Sequence, residues 1–219
     1  MFHIEWRGLS EAYAFLGNSL LAPMTQTPTV GIDPAFWEAF PDFGSADVRA
    51  AADACAGFAR KARAACEAEG KDAVERCAVE YTKLFIGPPK PAAAPWETMH
   101  RGAKAEIGFG GPTIQMRALL GDAGLAVSNE NRQYEDHMGL ELLFLSTLCA
   151  RAADAQNAGD SDGAEGADLA FIARFMDDHP LGWIADFRAA VAAAKPGGYF
   201  DHLLAVADTL LHKHRAAIA

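Results

Sequence analysis

Apolar residues along this chain of 219 residues recur at three- and four-residue spacing, and no segment shows the alternation of a half-buried strand. Leu9, Ala12, Tyr13, Leu16, Leu20 and Leu21 lie on one stripe of a helix predicted from Glu5 to Leu21, which Pro23 and the Thr-Pro segment end. Asp33-Pro34 caps a short helix through Phe36, Trp37 and Phe40. Ser45 caps a long Ala-rich helix to about Glu69, and Gly70 breaks it. Asp72 opens the next, which carries Val74, Cys77, Tyr81, Leu84 and Phe85 inward until Gly87-Pro88-Pro89 stops it.

Residues 87–97 read as the longest ordered connection. After a turn at Gly108-Phe109-Gly110-Gly111, a helix is expected from Pro112 to about Ala123. The most hydrophobic helix follows, from Asn131 or Gln133 to about Asp154, then a polar loop over 155–165. Three more helices are predicted over Ala167–Asp177, Leu181–Ala194 and Tyr199–Arg215. The fold class is therefore all-α, a single-domain helical bundle of about eight or nine helices over 1–219, with no internal repeat.

Composition narrows the function classes. Half the residues are hydrophobic, Ala is abundant and β-branched residues are sparse, which favours helix. A net charge of −10, with the acids spread along the chain, argues against nucleic-acid binding and suits a cationic partner. The start has no signal-peptide pattern and no run of apolar residues is long enough to span a membrane, so a cytoplasmic protein is expected. Cys55, Cys66, Cys77 and Cys149 form no CxxC pair, and reduced, partly buried thiols are expected in place of a zinc site.

The candidate chemistry sits in two places. Asp136-His137, with Glu141 one turn on, opens the apolar helix. Either the acid tunes the histidine beside a ligand, or Asp136 caps free amides while His137 faces solvent. Pro95-Trp96-Glu97 places an indole in a proline-held loop, where it either contacts a peptide or folds down to pin the segment. Glu97 and His100 have an ExxH spacing, but only one such motif is present, so the ligand set of a di-metal bundle is incomplete. The Gly-rich turn lacks the Lys-Ser/Thr of a phosphate loop, and no nucleophile elbow exists. The alternative to a binding protein is a small helical metal-dependent enzyme using Glu97, His100, His137 and Glu141.

Two separated motifs then carry a family resemblance. Tyr81, Leu84, Phe85, Gly87 and Pro88, followed by Pro95, Trp96, Glu97 and Thr98, form the first. Asp136, His137, Glu141, Leu142, Phe144, Leu145 and Leu148 form the second. In this order and at this distance they resemble the TorD/DmsD family of redox-enzyme maturation chaperones, to which NarJ is more distantly similar. Glu135 stands where many members have proline, and His100 where the family often has tyrosine.

The resemblance implies a cytoplasmic chaperone, not an enzyme, with no cofactor of its own. It implies binding of the twin-arginine signal peptide, and of the body, of a molybdopterin-containing oxidoreductase until cofactor insertion precedes Tat export. Guanine-nucleotide binding, suggested for some members, has no phosphate loop to support it here. The residues carried over as signal-peptide contacts are Leu84, Phe85, Trp96, Asp136 and His137, to which the acidic balance adds Glu97 and Glu141. Carboxylates of Glu97, Glu135, Asp136 and Glu141 would meet the arginines, and Leu84, Phe85, Trp96 and Met138 the apolar stretch. A monomer or a domain-swapped dimer is expected, without nucleic acid or a membrane span.

Overall fold

The computed structural model describes residues 2–101, 109–127, 133–158 and 167–218. These form helices α1 (Trp6–Leu21), α2 (Pro34–Glu38), α3 (Ala46–Glu69), α4 (Ala73–Tyr81), α5 (Gly111–Asp122), α6 (Met138–Asn157), α7 (Ala167–Asp178), α8 (Ile184–Ala194) and α9 (Tyr199–Ala217). Short 3-10 turns join some of them, and no sheet is present among the described residues. None of the described helices is long and apolar enough to cross a membrane.

Several helix ends follow from single residues. The Ser45 hydroxyl accepts the Val48 amide, and Gly70, at φ 63°, closes α3 in the left-handed region. Asp33 and Asp72 cap α2 and α4 in the same way, each accepting the amide two residues on.

Buried residues from Leu9 to Leu211 form one apolar cluster. At its centre α1 runs against α6. The two backbones meet at glycine: a Cβ on Gly17 would lie 2.7 Å from the Gly139 carbonyl oxygen, and a Cβ on Gly139 2.7 Å from that of Gly17. Beside this crossing the Ser146 hydroxyl donates to the Ser10 carbonyl at 2.7 Å. Helix α9 packs on α3, and an aromatic group of Tyr81, Phe85, Phe187 and Phe200 joins α4, α8 and α9. All four cysteines are free and buried, and burial pushes the Cys77 thiol up to about 12.

Three elements differ from the sequence expectation. The helix expected from Asp72 through Phe85 changes pitch after Tyr81: Thr82–Ile86 is a π segment, with the Gly87 amide donating to the Thr82 carbonyl five residues back. Gly87 then turns at φ 91°, and the prolines beyond supply no amide to continue an α-helix. Helix α6 begins at Met138, later than expected, because Asp136 pairs through its carbonyl and carboxylate with Glu97 and Thr98; residues 131–132 lie outside the described residues. Helix α8 begins at Ile184, since Pro180–Gly182 form a 3-10 turn. Helix α6 runs on to Asn157, and the rest of the expected 155–165 loop, residues 159–165, lies outside the described residues, as does Gly108.

Candidate functional site

The two sequence motifs cross. The Glu97 amide donates to the Asp136 carbonyl at 2.9 Å, the Met138 amide donates to the Pro95 carbonyl at 3.0 Å, and Trp96 and His137 form an isolated antiparallel bridge. The crossing is locked by the Asp136 carboxylate, which is wholly buried. One oxygen accepts the Thr98 amide at 2.9 Å and the Thr98 hydroxyl at 2.6 Å; the other accepts the Thr113 hydroxyl at 2.9 Å. Charge-assisted bonds of this kind are the strong class. Asp136 therefore ties 95–98, 136–138 and the start of α5 together. It does not cap α6.

The cap is His137. Its Nδ1 accepts the Gly139 amide at 2.9 Å, which places the ring proton on Nε2. Burial holds the ring neutral, its pKa lowered to about 3. His137 is fully enclosed, so the expectation of a solvent-facing ring is corrected. Among the described residues its Nε2 has no partner, and neither does Nε1 of Trp96, whose half-buried indole stands edge-on to the imidazole at 6.1 Å between ring centres. Trp96 also meets Tyr134 at 6.3 Å, and Tyr134 meets Phe109 at 5.6 Å. These last two rings are 38% and 40% exposed, so an aromatic strip descends from the surface to two buried, unaccepted N–H groups.

The other candidate residues are engaged inside the fold. Glu97 accepts from Arg101 at 2.5 Å and contacts His179 Nδ1 at 2.9 Å. Glu141 accepts the Trp183 indole N–H at 3.0 Å; burial first, and the nearby Glu97 carboxylate second, push its carboxyl well above the usual range. Glu135 makes a two-point pair with Arg117 at 2.7 and 3.1 Å, which holds its carboxyl below the usual range. The Arg117 guanidinium also sits 5.9 Å over the Phe109 ring. Leu84, Phe85 and Met138 are core residues, and Phe85 packs on Phe187 and Phe200. The structure thus gathers Trp96, Glu97, Asp136, His137 and Glu141 into one region and leaves Leu84 and Phe85 in the core.

The metal set of the alternative reading, Glu97, His100, His137 and Glu141, is not assembled. His100 Nε2 bonds the Ala94 carbonyl at 2.7 Å while its ring stacks on Trp183, and His137 Nδ1 serves as the cap. The described residues that do bring three possible ligand atoms together are Glu97, Glu141 and His179. In sequence His179 carries only a weak likeness, with Trp183 and Phe187, to a late helix of the TorD/DmsD family. Arg117 and Thr113 carried none, since their partners lie 18 and 23 residues away.

The chain is 26% identical to the TorD chaperone protein of Photobacterium profundum over 130 residues, 59% of this chain and 58% of that one. It is 26% identical to the selenate reductase assembly chaperone of Thauera selenatis over 146 residues, 66% and 71% of the two chains. Against the probable Tat proofreading chaperone DmsD of Haemophilus influenzae it is 23% identical over 124 residues, 57% and 53%. The TorD and DmsD matches each span less than two thirds of the relative's length. All three relatives are named as chaperones and none as an enzyme. The family model described as nitrate reductase delta subunit matches residues 45–189, a span that holds both crossing motifs and all of α3 to α7, and to that family this chain belongs.

Proposed function

We propose that this protein is a cytoplasmic chaperone, with no catalytic role, that binds the twin-arginine signal peptide of a molybdopterin-containing oxidoreductase and assists its maturation before export. The observation that carries the reading is the pair of buried N–H groups, Trp96 Nε1 and His137 Nε2, without acceptors at the foot of an aromatic strip. A buried donor left unpaired costs about 1–3 kcal/mol. A peptide carbonyl that displaced part of the strip could reach the Trp96 N–H and remove that cost there, and Phe109, Tyr134 and Trp96 would take the apolar stretch of the leader. The names of the relatives, TorD, selenate reductase assembly chaperone and Tat proofreading chaperone, support the same reading.

The arginines are received at Glu135. Arg117 already presents there the arrangement that a leader arginine would take, two hydrogen bonds to one carboxylate with an aromatic ring beneath. That pair is exposed on the Arg117 side, so exchange costs little. Residues 1–219 act as one domain in this reading, consistent with the continuous apolar cluster from Leu9 to Leu211. Titration calorimetry with a peptide carrying Arg-Arg and an apolar stretch tests it. Saturable binding that weakens when either arginine becomes alanine is expected. Absence of binding to any such leader would overturn it.

A further inference from the structure

One cluster takes no part in the proposed peptide site. Glu97, Glu141 and His179 come from three separate elements, the turn after Trp96, helix α6 and the end of α7, and are 1%, 0% and 5% exposed. One ligand atom from each lies within 4.8 Å of the other two. Glu141 uses one oxygen for Trp183, and no N–H or hydroxyl donor among the described residues reaches its other, buried oxygen, Oε1, which lies on the side of the Glu97 carboxyl. Arg101 meets one oxygen of Glu97, and the remaining carboxyl oxygens and the imidazole face one another at a spacing that a single cation could bridge.

We propose that Glu97, Glu141 and His179 form a binding site for one divalent transition-metal ion of the zinc class. Two carboxylate oxygens and one imidazole nitrogen, with no thiolate, suit zinc, manganese or ferrous iron. Calcium, which takes about six to eight oxygen ligands, finds too few here. The ion would replace the proton now held between His179 Nδ1 and Glu97 Oε2, 2.9 Å apart, so binding releases protons. Groups that orient the ligands are already in place: Arg101 on the second oxygen of Glu97, Trp183 on Glu141, and the Phe175 ring against the His179 ring at 5.3 Å.

An entry path exists too. A cleft of about 650 Å³ between α5 and α7, walled by Leu119, Phe171, Arg174 and Phe175, has Glu97 and His179 in its lining. Water from the cleft fills the remaining coordination position, as in zinc sites that keep one position open.

The test uses the full chain without an affinity tag, stripped with chelator and titrated with cobalt(II) alone, then with zinc in competition. About one ion per chain is expected, with the visible absorption of low-coordinate cobalt that zinc abolishes. Glu141→Gln retains an oxygen for the Trp183 bond but loses the charge, and it should weaken binding by at least about tenfold. His179→Gln should do the same, while His212→Gln, on the exposed pair with Asp208, should change nothing. Absence of cobalt and zinc binding, or binding unchanged in Glu141→Gln, overturns the proposal even if His179→Gln does not fold.

Discussion

Asp136 holds Thr98 twice, through the backbone amide at 2.9 Å and through the hydroxyl at 2.6 Å. A capping aspartate tolerates asparagine, because either side chain offers the oxygen a helix end needs. This carboxylate instead faces three donors, and an asparagine amide would turn its own N–H groups toward one of them. Asp136→Asn should therefore cost about 1.5–3 kcal/mol, the scale for a hydrogen bond to a charged group. Urea unfolding with an unchanged slope checks this, and an unchanged midpoint would mean that the clamp is not needed.

Trp96→Phe separates the donor from the ring. The indole N–H is buried without an acceptor, so its removal should leave stability unchanged or slightly higher. Leader-peptide affinity should fall, since the donor is lost at the foot of the strip. Calorimetry and thermal melting on the same sample separate the two effects.

Arg117→Ala frees Glu135 for an incoming arginine. The expected result is tighter binding of Arg-Arg leaders, by a few tenths to about 1 kcal/mol, the range of an exposed ion pair. Weaker binding would show that Arg117 belongs to the peptide site and does not compete for it.

Acid should destabilise the protein through two histidines. Burial lowers His137 to about 3 and His214 to about 4, both below the ordinary value of 6.5. Between those values the unfolded chain binds more protons than the folded one. Their contribution is fully present above pH 6.5 and is lost as pH falls towards 3, at up to about 1.4 kcal/mol per pH unit for each group. Glu141, raised by burial, acts in the opposite sense and loses stability as pH rises through its unfolded value. The urea midpoint of wild type against His214→Asn over this range isolates one histidine, and parallel curves would rule out its part.

Gly17→Ala and Gly139→Ala each place a methyl 2.7 Å from a carbonyl oxygen on the facing helix. Backbone cannot yield as a flexible side chain can, so each should cost about 1–3 kcal/mol. Gly57, with nothing within 4 Å of an added Cβ, is the control and should gain stability from the same change.

The helices were legible where one residue decided the outcome. Ser45, Asp33, Asp72 and Gly70 mark their boundaries by local hydrogen bonding, and the structure uses each as the spacing predicts. The start of α6 was not legible. The polar run before Met138 offers several residues able to cap a helix, but Asp136 is claimed by residues 23 and 38 positions away, and local periodicity carries no trace of such pairing. The same limit applies to the site. Asp136, His137, Trp96, Glu97 and Glu141 stood out by type and position, yet the meeting of Glu97 with His179, 82 residues apart, exists only in three dimensions. Arg117 read as an ordinary surface charge because nothing near it in sequence names Glu135.

The clamp between Thr98 and Asp136 also sets a timetable. Joining residues 38 apart requires closing a loop whose entropic cost grows with the logarithm of its length, before either carboxylate bond to Thr98 forms. Individual helices can form earlier from neighbouring residues alone. Trp96 and His137 acquire their shared geometry only with that closure, so the proposed peptide site does not exist in a chain emerging from the ribosome until Thr98 and Asp136 have found each other. If the proposed peptide site is right, the chaperone's competence to engage a client waits on this closure within its own fold.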